Sequence, residues 1–162
     1  MTGTMLKAAL IIRAACPDDA QAIEGLYHQL VTNGVIQVLP ERLAQIAQDP
    51  HSELFVGELE GRVCATALLL LCSDAMFGFQ PFAVLENVLV DVAVRGSGIG
   101  DALFRTIEAF CLRTDCSKIM LLSSGEREAA HRFFERAGFV GSTKRGFVKY
   151  RRAFRAPGDL SL

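Results

Sequence analysis

Apolar residues recur along the chain with two periods. Leu10-Ile11-Ile12 is a short β-rich run, and Pro17-Asp18-Asp19 then places a proline and two acids where a first helical turn wants them. Ile23, Leu26, Tyr27, Leu30 and Val31 follow at helical spacing and predict one apolar stripe. After Asn33-Gly34, Pro40-Glu41-Arg42 opens a second short helix carrying Leu43, Ile46 and Ala47, which stops before Asp49-Pro50. From Glu53 the period shortens. Leu54-Phe55-Val56-Gly57-Glu58-Leu59, a Glu60-Gly61 turn and residues 63–71 predict a β-hairpin whose second arm is apolar on both faces. Residues 82–94 form a nearly continuous apolar run broken by Glu86, Asn87 and Asp91, as a central strand with a few placed polar groups would. Helical spacing returns at Ile99, Leu103, Ile107 and Phe110 and ends near Thr114, and a short strand, Lys118-Ile119-Met120-Leu121-Leu122, comes next. Ser123 and Glu126 have capping-box spacing for a last helix with Ala130, Phe133, Phe134 and Ala137 as its buried stripe and Gly138 as its left-handed stop. Residues 139–140 and 146–151 read as final strands. The order β-α-α-β-β-β-α-β-α-β-β predicts an α/β fold, a mixed sheet flanked by helices. Its βαβ unit, residues 85–122, is where a ligand is expected.

Composition narrows this without changing it. The 162 residues, 51% of them hydrophobic, suffice for one core, so residues 1–155 are expected to form a single domain and 156–162 a loose tail. A net charge of −1 gives no broad electrostatic case for nucleic acid or membrane, and neither is an expected partner. Cys16, Cys64, Cys72, Cys111 and Cys116 are an odd set without CxxC spacing, which suits a reduced, cytoplasmic protein. His28, His51 and His131 lie far apart without metal-ligand spacing, so no metal is expected. The apolar run Ala8-Ala9-Leu10-Ile11-Ile12 is too short for a signal-peptide core, and residues 67–72 fall far below the roughly 20 needed to span a bilayer.

Between the central strand and the helix after it stands Arg95-Gly96-Ser97-Gly98-Ile99-Gly100. A phosphate approaching backbone needs N–H groups turned toward it and no side chains in the way. Three glycines clear the approach, the helix N-terminus adds partial positive charge, and Arg95 adds a full one. Glycines at such a junction also serve tight turns. The dinucleotide pattern fails because Asp101 occupies the place of its third glycine, and the P-loop fails for want of Gly-Lys-Ser/Thr.

These residues resemble the GNAT family of acyl-coenzyme A-dependent N-acyltransferases, whose signature Arg/Gln-x-x-Gly-x-Gly/Ala sits at a strand-to-helix turn. Leu85-Glu86-Asn87-Val88-Leu89-Val90-Asp91 is similar to the family's splayed central strand, and Ala130-His131-Arg132-Phe133-Phe134-Glu135-Arg136-Ala137-Gly138-Phe139 to its second helix and the Gly-Phe that ends it. The likeness is strong over residues 85–139 and weaker before them. It implies a mostly antiparallel sheet whose splayed central strands hold acetyl-coenzyme A. The pyrophosphate would lie on the amides of Arg95, Gly96, Ser97, Gly98, Ile99 and Gly100 with Asp101 close behind, and the pantetheine arm would pair like a strand with Val88, Leu89 and Val90. Arg127 stands where many relatives have an asparagine that touches the cofactor arm. An arginine there can meet a phosphate instead.

Transfer to an amine sets two proton problems. An alkylammonium of pKa about 10 must lose a proton before attack, and Glu86, an acid in an otherwise apolar strand, is the candidate base; pairing with a basic neighbour is its structural alternative. The family often protonates the departing thiolate with a tyrosine on the second helix, where this chain has Phe134. Tyr150, Tyr27 or water are the substitutes, or the thiolate leaves unaided, since a thiol of pKa about 8.5 is a tolerable leaving group. The expected activity is N-acetyl transfer to a small-molecule or peptide amine by direct attack in a ternary complex. The alternative is a coenzyme-binding module without efficient transfer, which Phe134 favours. Met76, Phe77 and Phe79 suit an acceptor pocket, a dimer surface or core packing. The basic cluster Lys144, Arg145, Lys149, Arg151, Arg152 and Arg155 reads foremost as a solvated strand face. Exposed strand edges make a homodimer compatible with a domain of this size.

Overall fold

The computed structural model describes residues 9–32 and 34–155. Its elements are β1 (Leu10–Ala14), a 3-10 turn (Pro17–Asp19), α1 (Ala20–Leu30), α2 (Pro40–Gln48), β2 (Ser52–Leu59), β3 (Arg62–Cys72), β4 (Phe82–Val90), a 3-10 turn (Val92–Val94), α3 (Ile99–Arg113), β5 (Ile119–Leu121), α4 (Glu128–Arg136) and a final 3-10 turn (Arg151–Ala153). The chain divides into two compact units, the boundary falling between Leu121 and Leu122. The expected tail, 156–162, lies outside the described residues.

The first unit holds a sheet of order β1-β2-β3-β4-β5, antiparallel except for the parallel β4–β5 pair. Glu60 and Gly61 turn the β2–β3 hairpin with φ of 52° and 80°, the positive values a two-residue turn between twisted strands demands. Leu54 to Gly57 are all buried because the sheet is covered on both sides. Ala15, Ala20, Ile23, Leu43, Leu54 and Val56 form a core cluster beneath α1 and α2. Toward α3, Phe55 meets Phe110 edge to face at 5.8 Å, and a Cβ on Gly57 would stand 3.4 Å from Ile99 Cγ2. The tight approaches to that Cβ are Ala65 Cβ at 3.0 Å and Ile12 Cδ1 at 3.3 Å, so Gly57 makes room for side chains of the two neighbouring strands. Asp19, read from sequence as an N-terminal helix acid, is instead buried against Arg13, whose Nη1 and Nη2 donate to its two oxygens at 2.8 and 2.9 Å. Cys16 N–H adds a third bond at 2.8 Å.

In the second unit two expectations give way. Residues 139–150 form no strand: the segment contains Gly141, Ser142, Thr143 and Gly146, and Val140, Phe147, Val148 and Tyr150 are exposed. A β-rich stretch with no buried face lacks the packing that fixes a strand. The capping box at Ser123 and Glu126 also fails, because Arg127 N–H closes a turn onto Ser124 O at 3.0 Å and α4 starts only at Glu128. His131 Nε2 donates to the same Ser124 carbonyl at 2.8 Å, holding the turn. Gly138 does end the helix, with φ of 92°.

Candidate active site

Ala83 N–H donates across to Lys118 O at 2.9 Å, on the β5 side, whereas Asp91 N–H donates to Cys64 O at 2.8 Å, on the β3 side. Both positions are odd-numbered, so strict alternation would send them the same way. The inversion occurs at Asn87. Thr66 pairs with Leu89 and Leu68 with Glu86, which leaves one extra residue in β4, and Asn87 takes φ of 53°. This β-bulge turns the N–H and C=O groups of Val88 and Val90 toward the side where β5 ran. The parallel pairing has ended by then, covering only Ala83, Val84 and Leu85. From Glu86 onward β4 has no strand partner on that side among the described residues, which is the expected splay. Its open groups suit an extended amide-bearing ligand. Arg95 Nε already uses one of them, donating to Val90 O at 3.1 Å.

The strand leads into the glycine loop through a tied turn. Asp91 accepts from Ala93 N–H at 3.0 Å, and that bond first, helped by Gln29, Arg62 and Arg95, holds its carboxyl below the usual range. Gln29, on α1, brackets the turn: its amide donates to Asp91 Oδ1 at 3.3 Å, and its carbonyl accepts Val92 N–H at 3.0 Å. Gly96 and Gly98 have φ of 80° and 83°, and a Cβ on either would meet nothing within 4 Å. Glycine is therefore needed for backbone conformation, not for space. Gly98 caps α3, whose first N–H groups have no acceptor within the helix, a ready site for an anion. Ile99 and Gly100 are buried and hold the helix start, while Arg95, Ser97 and Asp101 are exposed.

Glu86 faces solvent beside the bulge and makes no ion pair among the described residues, so the structural alternative of a basic partner is absent there. Tyr27 enters by a route that sequence reasoning did not see. Burial, the dominant cause, pushes its pKa up, and the neighbouring Thr66 and Asn87 side chains oppose that rise. Thr66 Oγ1 in turn donates to Phe55 O at 3.1 Å. The tyrosine thus lies beside the bulge residue. Gln29 was equally silent in the sequence, since nothing in a helical stripe marks a polar residue as the partner of a distant turn.

The remaining candidates lie in the second unit. Arg127 is the N-cap of α4 and is half-buried, and Tyr150 is exposed with the Arg152 guanidinium 5.2 Å from its ring centre. Phe134 is buried among Phe133 and Phe139 at centroid distances of 5.8 and 6.2 Å. In the first unit Met76, Phe77 and Phe79 are exposed, which removes the core-packing reading. The five cysteines are free thiols. Among the described residues no group of three or more His, Cys, Asp or Glu side chains could hold a metal, and no helix is long and apolar enough to cross a membrane.

Comparison with known proteins agrees with this geometry. A rice (Oryza sativa subsp. japonica) protein assigned as glucosamine 6-phosphate N-acetyltransferase 2 is 27% identical over 128 residues, covering 78% of this chain and 69% of its own. A solved Agrobacterium tumefaciens str. C58 protein, assigned as an acetyltransferase, superposes with a TM-score of 0.78 at 31% identity, covering 87% of this chain and 99% of that one. An aminoglycoside N-acetyltransferase solved in complex with CoA shares the fold, with a TM-score of 0.76 at 19% identity over 91% of this chain and 99% of its own. The family model described as Acetyltransferase (GNAT) family matches residues 22–139, taking in α1, the bulged strand, the glycine loop and α4. This chain is an acetyltransferase of the GNAT family.

Proposed function

We propose that this protein transfers an acetyl group from acetyl-coenzyme A to a primary amine by direct attack in a ternary complex. The observation that carries the reading is the junction of the Asn87 bulge with the Gly98-capped start of α3: one short stretch offers open strand amides and then an anion site. Bound there, acetyl-coenzyme A supplies an activated thioester. The Val88 and Val90 groups orient its amide-bearing arm, Leu89 anchors the strand in the core, and the 95–100 loop with Arg95 neutralises phosphate charge. Asp101 stands next to that loop, and Arg127 is the second unit's candidate phosphate contact.

Glu86 takes the ammonium proton directly or through water. Phe134 cannot give a proton to the leaving thiolate, and burial makes the Tyr27 phenol a weaker acid than usual. Tyr150 is the remaining side-chain candidate; unaided departure is chemically reasonable. The family match crosses the boundary at residue 121, which supports treating 1–155 as one functional domain. A small-molecule amine fits the rice relative's name better than a peptide amine does. Among the described residues β1 is an edge strand, which is compatible with a homodimer.

The test follows free thiol from acetyl-coenzyme A across amines, amino acids, polyamines, aminoglycosides and peptides. Acceptor-dependent release that falls about 100-fold to 10,000-fold in Glu86→Gln supports the enzyme and its base. Tight coenzyme binding with no release for any amine would instead establish the binding module that Phe134 suggests.

A further inference from the structure

Between α1, α2 and the segment joining them lies a cavity of about 200 Å³. Its inner surface is Ile23, Leu43 and Leu54, all buried, together with Val38 and Ile46. Glu24 fixes the connecting segment by accepting Val38 N–H at 2.8 Å. The Tyr27 ring forms a further wall, and the same side chain lies close enough to Asn87, the neighbour of Glu86, to feel it electrostatically. The cavity therefore shares a side chain with the bulged strand. Besides Tyr27, its polar side chains are Gln37 and Arg42, both exposed, and Arg42 makes no ion pair among the described residues.

An apolar cavity of about 150 Å³ is enough to hold benzene, so this one has room for a phenyl ring or a branched alkyl chain. A sugar is a poor match, because each hydroxyl taken from water needs a hydrogen-bond partner that these walls lack. Arg42, exposed in the lining and without an ion pair among the described residues, favours a negative group beside it. Resting on the transfer reaction proposed above, we infer that the acceptor is a primary amine with an apolar body of phenyl or branched-alkyl size and an anionic group. The body fills the α1–α2 cavity, the anion meets Arg42, and the amine is left toward the Glu86 end of the bulge. Ile23, Val38, Leu43 and Ile46 then set specificity, and the glucosamine 6-phosphate named for the rice relative is disfavoured.

Three acceptors, L-phenylalanine, 2-phenylethylamine and glucosamine 6-phosphate, are compared in the thiol-release assay. The expected kcat/KM is highest for L-phenylalanine and at least tenfold lower for glucosamine 6-phosphate. Val38→Phe, which fills the cavity from the segment joining α1 and α2, should lower kcat/KM for both phenyl amines tenfold or more while thermal stabilisation by acetyl-coenzyme A is kept. Arg42→Gln should bring L-phenylalanine down to the level of 2-phenylethylamine. A preference for glucosamine 6-phosphate, or phenyl amines indifferent to Val38→Phe, overturns the inference. Loss of acetyl-coenzyme A stabilisation in the unaltered protein would instead overturn the donor reading. The cavity is then still tested by calorimetric binding of 2-phenylethylamine, where absence of binding, or binding unchanged by Val38→Phe, counts against it.

Discussion

Replacing Asp19 by Asn removes a charge from the joint between β1 and α1, the helix that carries both Tyr27 and Gln29. Asp19 is 6% exposed and receives two bonds from Arg13 and one from the Cys16 amide. Hydrogen bonding to Arg13, ahead of the opposing effect of burial, lowers its pKa from 3.8 to about 2. At about 1.36 kcal/mol per unit, the ionised carboxylate contributes about 2 kcal/mol at neutral pH, a large share of the roughly 5–15 kcal/mol that holds a domain together. The sign follows from a folded pKa lying below the unfolded one. The contribution is complete well above pH 3.8, about half remains near pH 3, and it is lost as pH falls through about 2. Urea unfolding of both proteins at pH 7, 5 and 3 measures this: the gap should be about 2 kcal/mol at the first two and about 1 kcal/mol at the third. Arg13 keeps its bond to Glu58 at 2.9 Å in the variant, so local collapse of β1 is not expected. A gap that stays constant across this range would refute an origin in the carboxylate charge. One below about 0.5 kcal/mol at pH 7 would place the pair among ordinary exposed salt bridges.

Gly98→Ala forces a left-handed φ on a side chain that has free space around it, costing about 1–2 kcal/mol of backbone energy at the loop. The KM for acetyl-coenzyme A should rise about tenfold if the loop relaxes instead, and an unchanged KM with an unchanged melting temperature would argue against the conformational role. Gln29→Leu removes both bonds to the Asp91–Val92 turn. We expect a severalfold higher KM for acetyl-coenzyme A with kcat nearly preserved, measured by initial rates at saturating amine; a fall in kcat alone would show that the turn does not govern donor binding.

The parts of the fold governed by local rules were readable in the residues. The Glu60-Gly61 hairpin, the Pro40 and Gly138 helix boundaries, and the strand, glycine loop and helix running through Arg95 all stand where pattern and turn chemistry put them. What escaped depends on pairing across distance. Nothing local marks Asn87 as the residue at which β4 reverses its hydrogen-bonding direction, because that follows from its register against Thr66 and Leu68. Tyr27 is visible in the sequence only as a possible proton donor and Gln29 as an ordinary helical residue; their places at the bulge and the turn, 60 and more residues along the chain, follow from folding. Residues 146–151 show the opposite failure, since β-rich residues are visible there but no buried face accompanies them.

The brief pairing of β4 with β5 also leaves a record in solvent exchange. The Ala83 amide hydrogen is held by Lys118 O and should exchange with deuterium slowly, while those of Val88 and Val90 have lost β5 as a partner. One strand thus has a protected end and an open end. A ligand lying along β4 would slow exchange at the open end and leave Ala83 unchanged, so that docking can be located by residue without any turnover.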